Sequence, residues 1–336
     1  MNSLSFGDMA QSTLLRRQNS QLKSEMSRLT LELSSGKVQD VSKHLGGDFG
    51  YLGEVERSLR VTSAFKTSAS EAATFAASMQ SALGFVSNAM GSMGVGLIAA
   101  GEGAISGTRD VLSNEASGQF EMMIGALNTT VAGRSVFAGI DTNGAALASA
   151  EDMLADLRTA LAGQTTLAGV ETVMDDWFNA PGGGFETVGY LGESQSLEPF
   201  MLGDGERVSL DVRADGAALR QSLKATAMAA LATDSSLAFA ADVQAGMLGN
   251  AGEAMLGAND QVTAIRAKLG FAEARIEDAG ARLASEHTSL EYARGDLLGA
   301  DPYETITRLE ETQFRLESLY AATSRLSQLS LMGYMR

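Results

Sequence analysis

The sequence contains no cysteine and only two histidines, so two residue types that often act as nucleophiles, general bases or metal ligands are absent or scarce. Without cysteine there can be no disulfide, no thiolate metal site and no cysteine nucleophile. His44 and His287 alone cannot build a histidine-rich zinc site, and they leave a Ser-His-Asp triad with almost no candidates. The composition therefore predicts a protein that is not an enzyme and that binds no cofactor or metal.

Proline and basic residues are also scarce. The three prolines are Pro181, Pro199 and Pro302, so helices can run long through residues 1–180 and 200–301. The 336 residues include 25 Lys and Arg against 41 Asp and Glu. The resulting net charge of -16 repels phosphate backbones and anionic membrane surfaces, which argues against a nucleic acid or a membrane as partner.

Long apolar runs are missing as well. A membrane-spanning helix needs ~20 predominantly apolar residues, and the longest uncharged stretch, residues 72–101, is diluted with Ser, Gly and Asn. Near the N-terminus the apolar residues precede Arg16 and Arg17, which reverses the basic-then-apolar order of a signal peptide. The sequence therefore predicts either a cytoplasmic protein or one that is exported without a cleaved signal peptide.

Charge is distributed unevenly along the chain. Residues 101–200 hold 14 acidic and 3 basic residues, whereas both ends are nearly neutral. Nearly neutral surfaces can associate closely, and a strongly acidic segment is expected to be solvated. With 45% hydrophobic residues the chain can also build sizeable cores, so we expect associating ends around a soluble middle.

The clearest pattern is a series of apolar residues at seven-residue spacing. It comprises Leu248, Met255, Val262, Leu269, Ile276, Leu283, Leu290 and Leu297. Alanine occupies most of the positions three residues after them; the exceptions are Ile265 and Glu286. A repeat sustained over about seven heptads predicts a long antiparallel or intramolecular coiled coil; the alternative is one amphipathic helix of an ordinary bundle.

Amphipathic helices are predicted at both ends. The N-terminal stripe consists of Leu15, Leu22, Met26, Leu29 and Leu33, and Gly36 after it is a candidate C-cap. The C-terminal stripe consists of Ile306, Leu309, Leu316, Leu319, Leu326, Leu329 and Leu331. It follows Asp301 and Pro302, which suit an N-cap and a first helical position. Two such helices are expected to pair.

The residues between the ends predict further helices and a hairpin. Helices are expected at Glu54–Val131, Glu151–Leu161 and Ala217–Ala232. Strands are expected between Ala180 and Ala214, because Arg207–Val212 alternates in polarity after the turn residues Gly203–Gly205. Asp141–Gly144 resembles the start of a calcium loop but lacks the later ligands, so an Asx-type turn is the better interpretation.

The predicted fold class is mainly α, with long paired helices or a coiled coil from the two chain ends. A central α+β outer domain would contain a small β-hairpin sheet. The predicted domains are a terminal helical polymerisation domain of residues 1–50 with 300–336, a long helical bundle of 51–135 with 233–299, and an acidic outer domain of 136–232.

Three segments resemble the flagellin superfamily. Leu29–Lys37 is similar to the leucine-then-SSGK stretch near the start of these proteins, and Gly133–Gly139 to the GxYxFxG segment that enters their outer domain. Leu326–Met335 is similar to the end of the hook-filament junction members. One departure is that Val38–His44 lacks the Asp-Asp-Pro segment that usually follows SSGK.

The resemblance implies a structural protein of the extracellular bacterial flagellum, exported by the flagellar type III apparatus with the help of a cytosolic chaperone. Its terminal helices would form an assembly interface and order on assembly, and a ring of copies would join hook-associated protein 1 to flagellin. The alternatives are a flagellin filament subunit and a cytoplasmic signalling coiled coil of the chemoreceptor type, against which the β-containing middle argues.

Overall fold

The computed structural model describes the backbone of residues 3–103 and 105–334 and the side chains of residues 9–103 and 105–325. Its helices are α1 (Ser3–Ser35), α2 (Val41–His44), α3 (Gly50–Gly103), α4 (Ser106–Leu127), α5 (Ala150–Leu161), α6 (Leu167–Asn179), α7 (Ala217–Leu231), α8 (Ala241–Leu298) and α9 (Pro302–Tyr334). Its strands are β1 (Thr130–Val131), β2 (Arg134–Ser135), β3 (Phe200–Gly203) and β4 (Glu206–Val208). The predicted fold class is confirmed, since long helices dominate and the described strands form two short antiparallel hairpins.

The chain folds as two compact units. One consists of residues 1–62 and 285–336, which we call the terminal unit, and the other of residues 63–284, which we call the central unit. Both boundaries fall inside the long helices α3 and α8. The three-domain division made from the sequence stays a prediction.

Within the central unit, α3 and α8 pack as an antiparallel pair. The Gln80 side chain donates to the Arg266 carbonyl at 3.3 Å, and the Ser87 hydroxyl lies 2.6 Å from Asn259 Oδ1. Further along α3, a Cβ added to Gly101 would lie 2.7 Å from the Cα of Gly249, so the two backbones touch there. Because the partner's number falls as the α3 number rises, the helices run in opposite directions.

The heptad seam of α8 faces this pairing. Leu248, Met255, Val262, Leu269, Ile276 and Leu283 are all buried, whereas Leu290 and Leu297, in the terminal unit, are half-buried. The facing helix carries a second heptad series that the sequence analysis found only in part. Its buried positions are Ala69, Ala76, Leu83, Met90 and Leu97, with Ala72, Met79, Val86, Met93 and Ala100 three residues after each. The many alanines hid this series from a search for large apolar residues.

The helical stretch predicted over Glu54–Val131 is two helices. Helix α3 ends at Gly103, and α4 begins at Ser106 and packs on α7. The Ser113 hydroxyl on α4 donates to the Ala229 carbonyl at 2.8 Å, which anchors this contact in the core.

The Gly133–Gly139 segment forms a turn followed by core residues. Ala132 and Gly133 both have positive φ, as the two-residue turn between β1 and β2 requires. Phe137 is fully buried, and the Arg134 guanidinium stacks 5.1 Å from the centre of the Phe75 ring. A side chain at Gly139 would meet the carbonyls of residues 193 and 195, so the position needs glycine.

The second hairpin is shorter than the sequence predicts. Gly205, with a φ of +74°, forms its turn, and β4 ends at Val208 rather than at Val212. Val208 pairs with Phe200, the first residue of β3. Pro199 precedes Phe200 and has no N–H, so it cannot donate to an extended ladder.

The acidic part of the chain is mostly helical. The predicted helices at residues 151 and 217 are confirmed, but α6 (Leu167–Asn179) was not predicted. Its Trp177 indole donates to Asp156 Oδ2 at 2.6 Å and packs edge-on against Phe178. Asn143 N donates to Asp141 Oδ1 at 3.2 Å, which confirms the Asx-type turn.

One helix of the described residues, α3, is long and apolar enough to cross a membrane by length and composition. An 18-residue window within it has a mean hydropathy of 1.4, and half of that window is buried inside the protein. The burial matches a core helix, because Phe75, Met79 and Leu83 in this region pack in the hydrophobic core.

Candidate assembly interface

The two ends of the chain meet in the terminal unit as an antiparallel helix pair. Helices α1 and α9 pack along each other. The Ala300 N–H donates to the Gly36 carbonyl at 3.0 Å at one end, and the Lys23 ammonium lies 5.9 Å from the centre of the Tyr320 ring further along. Hydrogen bonding to Lys23 and Asn19 lowers the pKa of the exposed Tyr320 hydroxyl.

The predicted leucine stripes contribute most of the buried face of this pair. On α1, Leu15, Leu22 and Met26 are half-buried and Leu29 is fully buried. On α9, Leu309, Leu316 and Leu319 are half-buried. The side chains of Leu326, Leu329 and Leu331 lie outside the described residues. The pairing uses these stripes, and their role in assembly stays a prediction.

Two predicted stripe residues lie outside the buried face. Leu33 is 39% exposed and Ile306 is 43% exposed, while their neighbours Glu32 and Thr305 are buried. Thr312 is buried too, which gives α9 an inward series of Thr305, Leu309, Thr312, Leu316 and Leu319. Thr312 and Thr305 lie seven and fourteen residues before Leu319, at the heptad spacing of the stripe. The sequence analysis missed them because it considered only apolar residues.

Threonine can occupy these buried positions because each hydroxyl finds a partner on its own helix. Thr305 Oγ1 donates to the Asp301 carbonyl and Thr312 Oγ1 to the Arg308 carbonyl, both at 2.7 Å. A side chain that bonds the carbonyl four residues earlier leaves no buried polar group unsatisfied. The methyl groups are then free to pack toward α1.

Glu32 is the most buried charged residue among those described, and it ties α1 to the following loop. Its Oε1 accepts from Arg28 Nη1 at 2.6 Å and from the Gln39 backbone N–H at 2.9 Å. Arg28 also donates from Nε to Glu25 at 3.1 Å. This hydrogen bond lowers the pKa of Glu25 and raises the pKa of Arg28, so both groups stay charged at neutral pH.

A short backbone ladder joins the loop after α1 to the loop before α9. Lys37 and Gly299 form an antiparallel bridge, and the Val38 N–H donates to the Leu298 carbonyl at 2.9 Å. Gly36 has a φ of +67° and closes α1, as predicted. Asp301 caps α9 by accepting from the Tyr303 N–H at 2.8 Å, with Pro302 at the first helical position.

The segment that lacks Asp-Asp-Pro folds as the single turn α2. Asp40 caps it by accepting from the Lys43 N–H at 3.0 Å. The cleft beside it, of about 320 Å³, is lined by acidic and basic residues of the terminal unit, which include Arg28, Glu32, Asp40, Lys43, Glu304 and Arg308. With Asp301, which also lines the cleft, four acidic residues face three basic ones, and the described residues contain no group of three His, Asp or Glu able to hold a metal.

Several large apolar residues of the pair face solvent. Tyr303 is 87% exposed and Phe314 is 70% exposed on α9, and Leu14 and Leu31 are exposed on α1. Exposed apolar side chains are available for contact with another protein, and association surfaces are built from them. The arrangement can therefore bury further apolar area against another protein.

The C-terminal part of the chain is similar to flagellins. Residues 253–335 match the family model of the bacterial flagellin C-terminal helical region. The match takes in most of the α8 heptad seam and continues through α9. Among curated proteins, none matches the chain.

A solved structure described as that of a flagellar hook-associated protein from Vibrio parahaemolyticus is also similar to this chain. The sequence identity is 14% and the TM-score is 0.48. The similarity covers 73% of this chain and 95% of the other.

Proposed function

We propose that the chain is a structural component of the bacterial flagellum. The observation that carries the proposal is the match of residues 253–335 to the flagellin C-terminal helical region. The exposed apolar residues on α1 and α9 support it, because a subunit that works by assembly must leave such surface for its neighbours. This function is mechanical and requires no cofactor.

More specifically, we propose that the chain acts as hook-associated protein 3, the junction between the hook and the filament. Its contacts would be hook-associated protein 1 on one side, flagellin on the other and further copies of itself in a ring. The sequence Leu329–Leu331, similar to the end of the junction proteins, favours this role over that of a filament subunit. Export would use the flagellar type III apparatus and a cytosolic chaperone, without cleavage of a signal peptide.

A gene deletion in the source bacterium tests the junction role. We expect intact hooks, no filaments and abundant monomeric flagellin in the medium. Flagellin would still be exported, but it could not polymerise onto the hook without the junction. Hook imaging by electron microscopy and an immunoblot of the medium are the two measurements. Normal flagella would refute the flagellar proposal altogether.

The second candidate, a filament subunit, predicts a different result. Deletion would then remove filaments without flagellin being shed, and the purified chain would grow long filaments in vitro. A junction protein should instead form limited rings or stay monomeric. Negative-stain imaging of the concentrated protein distinguishes these outcomes, and long filaments would overturn the junction assignment.

A further inference from the structure

The central unit has a shallow groove along one side of the α3–α8 pair. The groove has a volume of about 390 Å³, and its apolar lining is Ala69, Ala73 and Ile276, beside Gly280. A Cβ on Gly280 would meet no atom within 4 Å, so open space lies above it. The small side chains leave room for one large apolar group from outside.

Three charged residues also line the groove. These are Lys66 from α3 and Glu273 and Glu277 from α8, so the local charge is negative. Both carboxylates lie on the same helix within about one turn of Ile276, the largest apolar side chain in the groove. The groove should therefore favour an apolar side chain that has basic residues beside it, because those residues would face the two carboxylates.

The opposite side of α8 carries an apolar residue of the matching kind. Phe271 is 75% exposed, although it lies on a helix whose other face packs in the core. Successive helix residues turn by about 100°, which places Phe271 roughly 140° from Ile276 and 160° from Glu273 around the helix. Phe271 therefore cannot reach the groove of its own chain.

The surroundings of Phe271 are basic and small. The residues three and four positions away on the helix are Ala267, Lys268, Ala274 and Arg275. Arg275 donates to the Arg207 backbone carbonyl of the second hairpin at 3.0 Å, which holds its guanidinium on this side of α8. Phe271 is thus a protruding aromatic ring flanked by Lys268 and Arg275, with the acidic Asp278 two turns further along the same face.

We infer that Phe271 of one copy inserts into the groove between α3 and α8 of a second copy. The ring would pack over the exposed Ala73 and over Gly280, with the buried Ile276 beneath them, while Lys268 and Arg275 would approach Glu273 and Glu277. The inference rests on the proposed function, since it supplies the contact between neighbouring subunits of a ring.

The two surfaces are different patches on opposite sides of one helix, so the contact is head-to-tail. Such a contact repeats from copy to copy and closes into a ring or continues as a helix, depending on the rotation between copies. One buried aromatic ring contributes only about 150–250 Å² of contact. The contact should therefore form at high local concentration, as in an assembling structure, and be weak for dilute monomers.

The absence of cysteine makes this contact directly measurable. One copy carries Ala274→Cys, which keeps Phe271 and places a thiol three residues from it on the helix, and the other carries Ala73→Cys; the concentrated mixture is treated with a short bis-maleimide. We expect several-fold more cross-linked dimer from this mixture than from either variant alone. The matched control replaces Ala274→Cys with Val95→Cys, at an exposed residue of the central unit outside the groove.

A second pair of variants tests the charge complementarity. Glu273→Lys together with Glu277→Lys in the Ala73→Cys copy should reduce the cross-link several-fold, and added salt should do the same in the parent mixture. Circular dichroism of each variant verifies that the helices are intact. An Ala274→Cys yield no higher than that of Val95→Cys, with folded proteins, would overturn the inference.

The cross-linking and deletion experiments distinguish failure of this contact from failure of the junction proposal. Shed flagellin in the deletion strain without the cross-link would leave the junction role standing and remove this contact. A specific cross-link in a protein whose deletion leaves flagella normal would establish the contact and refute the flagellar role.

Discussion

The terminal and central units differ in how many apolar side chains each one buries. The central unit buries complete aromatic side chains, among them Phe120, Phe137, Phe178 and Phe185. In the described part of the terminal unit, the buried hydrophobic residues are Leu29, Leu52, Val55 and Leu59. Burial of apolar area is the main favourable term in folding, so the central unit has the larger reserve of stability.

The terminal unit compensates with polar contacts and leaves apolar residues outside. Glu32, Thr305 and Thr312 are buried and hydrogen-bonded, while Phe314 and Tyr303 face water. A neighbouring subunit that covered these exposed residues would add the apolar burial that the unit lacks. The comparison teaches that one unit has a large core of its own, whereas the other leaves apolar residues exposed, as the proposed assembly requires.

Limited proteolysis should show the largest difference between the units. We expect trypsin to cut α1 at Arg16 and Arg17 and α9 at Arg315 well before it cuts the exposed Arg207 of the central unit, because a region with few buried apolar contacts opens more often. Mass spectrometry of early products measures the order. Cleavage at Arg207 as fast as at the ends would contradict the expected difference and the idea that the ends order on assembly.

Substitution Leu283→Glu would weaken the central unit strongly. Leu283 is buried in the α8 seam, so the variant buries an unpaired charge and should lower the free energy of unfolding by at least ~2–3 kcal/mol. Thermal unfolding by circular dichroism measures it. Tyr292→Glu is the control, since Tyr292 lies exposed on the same helix and should change little; a normally melting Leu283→Glu variant would show that position 283 faces solvent.

Substitution Glu32→Ala tests the polar hub of the terminal unit. Loss of the acceptor for Arg28 and for the Gln39 N–H should cost about 1–3 kcal/mol, because the partners stay partly buried. Hydrogen exchange of the amides in α1 and in residues 37–40 reports the loss. Glu311→Ala removes an exposed pair with Arg315 at the same helical spacing and should be nearly neutral; equal effects would show that burial does not matter here.

Substitution Asp301→Ala is expected to have the smallest effect. It removes the acceptor for the Tyr303 and Glu304 N–H groups and should destabilise the start of α9 by about 1 kcal/mol. Asp301→Ser keeps a capping oxygen and should retain most of the stability. Exchange rates of the amides at residues 303–305 compare the two, and identical rates would mean that the cap contributes nothing.

Much of the helical fold could be predicted from the sequence. The α8 seam, the cap at Asp301, the end of α1 at Gly36 and the hairpin turn at Gly205 each follow from residue types that have one preferred conformation. Helix α6 was not predicted, although Thr166 is a suitable N-cap and Val170, Met174 and Trp177 follow it at helical spacing. The end of β4 at Val208 depended on where the partner strand began, which no local pattern contains.

The candidate interface was predicted less completely. The search for large apolar residues found Leu29 and Leu316 but passed over Thr305, Thr312 and Glu32, and it selected Leu33 and Ile306 instead. A polar residue can be buried only if a partner is in place, and those partners lie on the same helix for the threonines and in a later loop for Glu32.

The sequence by itself determined the helical character, the heptad seam and the absence of cysteine, since these depend on composition and on local spacing. Only the tertiary structure decided which helix faced each stripe, that alanine-rich α3 completes the seam, and that a groove opens between α3 and α8. The physical reason is that burial depends on the partner surface, and a small residue becomes a core residue only when another helix approaches it closely.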